Sequence, residues 1–171
     1  MTSRGRKKLG RRARKELLYL GALLLLGVAR LLPARALYAV SEFAGRCAFR
    51  LLGRERRKTL DNLAAAYGGA KGPAERRRIG RELFVNLGRN MAELALYHRL
   101  DAPRLRGLIR MEGREIVDRE LAKGKGIIVI TGHLGNWELI PAFFAALGYR
   151  GGVVARRVYY EKYERLLSRL R

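Results

Sequence analysis

A histidine and a glutamate five residues apart, His133 and Glu138, lie in the stretch GKGIIVITGHLGNWELIP, with Gly135 and Asn136 between them. Imidazole is the side chain suited to taking a proton near neutral pH, and a carboxylate on its far nitrogen fixes the tautomer and steadies the imidazolium that forms. Such a pair suffices when the acceptor molecule brings its own hydroxyl. The stretch contains no serine or cysteine, which favours direct attack by a substrate hydroxyl over a covalent enzyme intermediate. Backbone N–H groups at Gly135 and Asn136, at an expected helix start, are suited to stabilising an oxyanion. A hydrogen-bonded structural histidine is the competing reading, because a single His and Glu at this spacing are common by chance.

The elements that position this pair are read from the apolar pattern. Ile127 to Thr131 is a short run rich in β-branched residues and predicts a buried strand, while Leu139, Phe143, Phe144 and Leu147 recur at helical spacing up to Gly148. His133 then falls where a strand becomes a helix, a usual place for ligands in α/β folds. Leu108 to Glu112 predicts a further strand, Arg114 to Ala122 a helix, and Lys123 to Gly126 a turn, giving a βαβ unit. Gly124-Lys125-Gly126 lacks the spacing of a phosphate loop. Gly152 to Ala155 predicts another strand, followed by Arg156, Arg157 and a basic helical tail from Tyr159 to Arg171.

The remainder of the chain is helical in pattern and basic in charge. The 37 lysines and arginines against 15 acids give a formal net charge of +22 over 171 residues, which points to an anionic partner. With one cysteine, Cys47, and two histidines, neither a disulfide framework nor a Cys/His zinc cluster can be assembled. The first sixteen residues carry eight basic side chains and lead into an uncharged run from Leu17 to Ala29. At 1.5 Å per residue this run covers roughly 20 Å against a hydrocarbon core of ~30 Å, which predicts a tilted, shallow or end-anchored membrane helix. A cleaved signal peptide, ending at Ala34-Arg35-Ala36, is the rival reading. The crowding of Arg30 and Arg35 about that site favours an uncleaved anchor.

Between Ser41 and Ala66 the spacing predicts a helix with Phe43, Cys47 and Leu51 on one stripe and Arg46, Arg50, Arg54 and Arg57 on another, with a break at Gly53. Glycines and Pro73 mark a loop before a long helix reaching about Leu100. Its expected core stripe is Ile79, Leu83, Leu87 and Leu94, and Glu82, Asn86, Arg89 and Glu93 form a polar stripe laced by ion pairs.

The block Gly132, His133, Gly135, Asn136, Trp137 and Glu138 resembles the HX4E motif of the lipid A biosynthesis acyltransferases, the late lauroyl and myristoyl transferases, in its GHxGNWE form. The basic start, the apolar run, Asn62-Leu63, Glu93 and the GKG before the apolar segment are similar too. The resemblance implies that His133 is the catalytic base, Glu138 its partner and Arg156 an arginine shaping the substrate site. It implies an acyl carrier protein thioester as donor, a hydroxyl of a lipid A precursor as acceptor, no metal or cofactor, and a place at the inner membrane with the catalytic part facing the cytoplasm. It further implies a chain considerably longer than this one, so that these residues read as the N-terminal part of such an enzyme, with little activity alone.

The expected architecture is therefore a basic arm with a membrane-anchor helix at residues 1–40, a helical region at 41–107, and a partial α/β acyltransferase core at 108–171. The net charge suits an anionic membrane and two anionic substrates, with no nucleic acid as partner. A membrane-tethered basic protein that binds nucleic acid or lipid without catalysis is the alternative.

Overall fold

Proline and glycine divide the N-terminal part of the chain into four helices. In the computed structural model, which describes residues 3–155 and 160–170, α1 runs Ser3–Leu31, α2 Ala34–Leu51, α3 Gly53–Tyr67 and α4 Pro73–Leu96. Three short helices follow, α5 (Ala102–Leu108), α6 (Arg114–Ala122) and α7 (Leu139–Ala146), and then α8 (Glu161–Leu170). The helices α1 to α4 and α8 belong to one compact unit, and α5 to α7 belong to a second.

In the first unit each helix boundary has a local cause. Pro33 holds φ −58° and ψ 144° ahead of α2, extended geometry that its ring favours. At the other end of α2, the Arg56 guanidinium donates to the carbonyls of Phe49 and Arg50 at 3.3 and 3.1 Å, satisfying acceptors that the helix leaves open. The expected break falls at Leu52 and Gly53. Gly68 ends α3 with φ +51°, and Pro73 opens α4 at its first turn, where no N–H is needed.

The helices α2 and α4 meet through glycine. Gly45 is buried, and a Cβ there would collide with the Phe84 carbonyl and lie 2.9 Å from the Val85 Cα; a Cβ on Gly88 would collide with the Ser41 carbonyl. Beside this crossing the rings of Phe49 and Phe84 pack edge-on, 5.4 Å between centroids. A core of Ala29, Leu37, Ala92, Ala95 and Leu96, with Leu26, Leu32 and Tyr38 against it, joins α1, α2 and α4. Burial, and then the charge of Glu93, raises the pKa of the Tyr38 hydroxyl.

Backbone approach at glycine also rotates both helices away from the expected stripes. Leu83 and Leu87 of α4 are exposed, as are Phe43 and Leu51 of α2, whereas Gly80, Phe84 and Ala92 and, across from them, Leu37, Gly45 and Phe49 are buried. Side-chain size alone favours the leucines; the close contact needs the small residues. On the polar stripe of α4, Glu82 pairs with Arg78 from outside the stripe at 3.0 Å, and Arg89 donates to Asn86 at 3.2 Å. Arg89 also reaches Glu42 of α2 at 2.8 Å.

The membrane-anchor helix is corrected by the structure. Among the described residues no helix is long and apolar enough to cross a membrane. The apolar run lies inside α1, but Lys15, Glu16 and Arg30 bound it too closely for the rest of the 29-residue helix to serve as a span. It packs in part against protein instead: Tyr19 meets Tyr163 of α8 edge-on at 5.6 Å, and Glu16 pairs with Lys162 at 2.6 Å.

In the second unit α6 forms over Arg114–Ala122 as the pattern predicts, and α7 ends at Ala146, just ahead of Gly148, whose φ is +89°. The Asp101 carboxylate caps α5 by accepting from the Arg104 N–H at 2.9 Å. Arg106 of α5 donates to the Ala146 carbonyl at the end of α7, 2.9 Å away, where a cation also suits the helix dipole.

The expected α/β sandwich is not found. There is no strand and no sheet among the described residues: Leu108 closes α5, and Ile109 to Glu112, Ile127 to Thr131 and Gly152 to Ala155 are irregular. A strand exists only through its ladder, and none of these runs has a hydrogen-bonded neighbour strand in the described chain. The β-branched residues keep their apolar character without cover, with Ile128 and Ile130 93% and 92% exposed.

Candidate functional site

His133 stands at the apex of a tight turn. The Leu134 N–H donates to the Gly132 carbonyl at 2.9 Å, closing three residues around the histidine. Gly135 follows with φ +55°, a left-handed conformation that suits glycine and redirects the chain. The Leu139 and Ile140 N–H groups then donate to the carbonyls of Asn136 and Trp137, each at 3.2 Å, winding the chain into α7. The glycines of GHLGNWE therefore have a structural use: they form the turn that lifts the imidazole out. His133 is exposed, on an irregular segment instead of a strand end.

Its neighbour is Trp137. The two rings lie 4.6 Å apart between centroids with 66° between planes, an edge-to-face arrangement. This restrains the imidazole by aromatic packing, a role that the sequence reading left unassigned although the one-turn spacing of the two residues is its signal. Glu138 is half-buried and occupies the N-cap position of α7. Gly135 and Asn136 connect the histidine turn to Trp137 and Glu138, after which α7 begins at Leu139. Arg156 lies outside the described residues.

A second cluster in this unit supports the segment that follows α7. The Tyr149 hydroxyl donates to the Asp118 carboxylate at 2.5 Å and accepts from Arg114 at 3.2 Å, and the Arg114 guanidinium lies 5.8 Å from the ring centroid. The hydrogen bond to Asp118 pushes the pKa of the Tyr149 phenol up.

An exposed imidazole steadied by an indole, with a carboxylate at the start of the next helix, is equipment for acid-base chemistry on a substrate from outside the fold. Comparison along the chain gives the class, which is acyltransferase. The chain belongs to the bacterial lipid A biosynthesis acyltransferases, whose family model matches residues 4–171. No individual curated protein and no solved structure matches it.

Proposed function

We propose that this chain serves the transfer of a fatty acyl group from an acyl carrier protein thioester to a hydroxyl of a lipid A precursor, with His133 as general base. The observation that carries the reading is a histidine lifted to a turn apex within GHLGNWE, in a chain that belongs to this family along nearly its whole length. The imidazole takes the proton of the acceptor hydroxyl as its oxygen attacks the thioester carbonyl carbon. The tetrahedral intermediate places negative charge on the former carbonyl oxygen, for which the N–H groups of Gly135 and Asn136 are the candidate donors. Collapse breaks the carbon–sulfur bond, and the imidazolium returns the proton to the departing thiolate. Glu138 supports the charged imidazole when substrate draws the turn closer to α7, since catalytic hydrogen bonds often tighten only in the complex. Arg156 takes an anionic part of a substrate. No cofactor enters this scheme.

The net charge of +22 supports work at an anionic surface, with the inner membrane as its place, the cytoplasmic side as its face, and an acidic carrier protein and phosphorylated glycolipid as partners. Nucleic acid is not among them. The test is acyl transfer between these two substrates by a protein carrying this chain. Product that disappears on His133→Ala is the expected result, and transfer undiminished by that change overturns the assignment.

A further inference from the structure

The basic stripe of α2 and the polar stripe of α4 enclose a groove of about 720 Å³, within the range of small-ligand sites, in the first unit of the chain. Its lining inverts the usual composition of such sites. Five of its nine lining residues are arginines, Arg46, Arg50, Arg77, Arg81 and Arg89, and only Glu82 is acidic. A groove of this kind repels an acyl chain and attracts oxyanions.

The arginines divide into two sets. Arg46 and Arg89 both reach Glu42, at 3.0 and 2.8 Å, and Glu82 is engaged by Arg78, so the nearby carboxylates are already taken. Arg50, Arg77 and Arg81 have no carboxylate partner among the described residues. One of them is held in place by packing: the Arg77 guanidinium lies 5.7 Å from the centroid of the Phe49 ring. Phe49 is itself buried edge-on against Phe84, so this platform belongs to the core. The glycine crossing of α2 and α4 fixes the two walls at close approach.

We propose that this groove is a phosphoryl-binding site that takes a phosphate monoester or diphosphate group through Arg50, Arg77 and Arg81. Guanidinium presents paired N–H donors in a plane that matches two phosphate oxygens, which a diffuse cationic surface does not. Concavity favours a compact headgroup over the flat face of a protein. The group has two possible sources, a phosphorylated lipid headgroup and a soluble phosphorylated compound, and both present the same chemistry. This site goes beyond the acyl-transfer reading and does not depend on His133.

The test uses the intact chain with pyrophosphate followed by calorimetry, and with phosphatidylcholine vesicles containing phosphatidic acid followed by sedimentation. The variant Arg50→Gln/Arg77→Gln/Arg81→Gln is compared with a charge-matched control, Arg54→Gln/Arg57→Gln/Arg119→Gln. Saturable pyrophosphate binding that weakens about tenfold or more in the groove variant and about twofold or less in the control is the expected result. The conservative Arg50→Lys/Arg77→Lys/Arg81→Lys, which keeps charge and loses the fork, falls between wild type and the Gln variant. Phosphatidic acid vesicles that displace pyrophosphate identify the lipid headgroup as the source; vesicles that leave it bound identify a soluble compound. Circular dichroism and the melting temperature of each variant separate a lost site from a lost fold. Equal weakening in the groove variant and the control reduces the groove to general charge and overturns the proposal, as does absence of saturable pyrophosphate binding by wild type. His133→Ala leaves this binding unchanged, so failure here and failure of the acyl-transfer reading are told apart.

Discussion

The imidazole of His133 packs edge-to-face on the indole of Trp137, 4.6 Å between ring centroids, and this is the contact that orients the proposed base. A restrained ring loses fewer orientations when a substrate hydroxyl approaches, which is how positioning lowers a barrier. An aromatic pair of this geometry contributes about 0.5–1.5 kcal/mol beyond its area. Trp137→Leu is therefore expected to lower kcat by up to about tenfold with little change in KM, and to broaden the orientations of the His133 ring seen by imidazole NMR. An unchanged kcat with an unchanged spectrum shows that the indole does not position the base.

Loss of the base itself has a larger effect. His133→Ala is expected to lower acyl transfer by about 10²- to 10⁴-fold, the usual cost of removing a general base, and Glu138→Gln to lower it less because a hydrogen-bonding side chain remains. Steady-state rates on the same donor and acceptor check both. A Glu138→Gln enzyme slower than His133→Ala reverses the assigned roles.

The glycine crossing is expected to dominate stability in the first unit. Gly45→Ala and Gly88→Ala each place a methyl group against backbone that cannot yield without moving a helix, and overpacking of this kind costs about 1–3 kcal/mol. Gly21→Ala in α1 is the control: its Cβ meets nothing within 4 Å, and helix propensity predicts stabilisation by about 0.5–1 kcal/mol. Urea denaturation of the three variants gives the comparison.

The Glu42 carboxylate accepts from Arg89 across the α2–α4 contact, which is therefore expected to depend on pH. The hydrogen bond from Arg89, ahead of the charges of Arg89 and Arg46, lowers its pKa below the ordinary 4.5. A carboxyl with a depressed folded value contributes stability that is fully present above the ordinary carboxylate range and is lost as pH falls through the depressed value. The melting temperature is thus expected to drop below about pH 4.5, and Glu42→Gln to flatten that part of the profile. A profile of the same shape in the Gln variant assigns the acid limb to other groups.

Capping in the second unit is open to the same kind of measurement. Asp101→Ala removes the acceptor for the Arg104 N–H and is expected to cost about 1 kcal/mol of local stability, read as faster amide exchange in α5. Exchange unchanged in α5 means that Arg106 and Leu105 hold the helix without the cap.

What the sequence by itself determined follows from short-range rules. Gly53, Pro73 and Gly148 mark helix boundaries because backbone geometry is decided within a residue or two, and the glycines of GHLGNWE form the turn that presents His133. The i to i+4 pairs of α4 are likewise local. Tertiary structure decided everything that depends on a distant partner. Leucines and glycines compete for the buried face of α4, and the glycines win because α2 and α4 approach to backbone contact, Gly45 against Phe84 and Gly88 against Ser41, pairings between distant segments that no window of sequence reveals. Glu42 joins Arg89 across the same crossing, and the arginines of α2 and α4 become one groove only there. The β-branched run Ile127 to Thr131 shows the converse: its composition favours a strand, but pairing is a property of two segments, and without a ladder the run stays irregular and exposed.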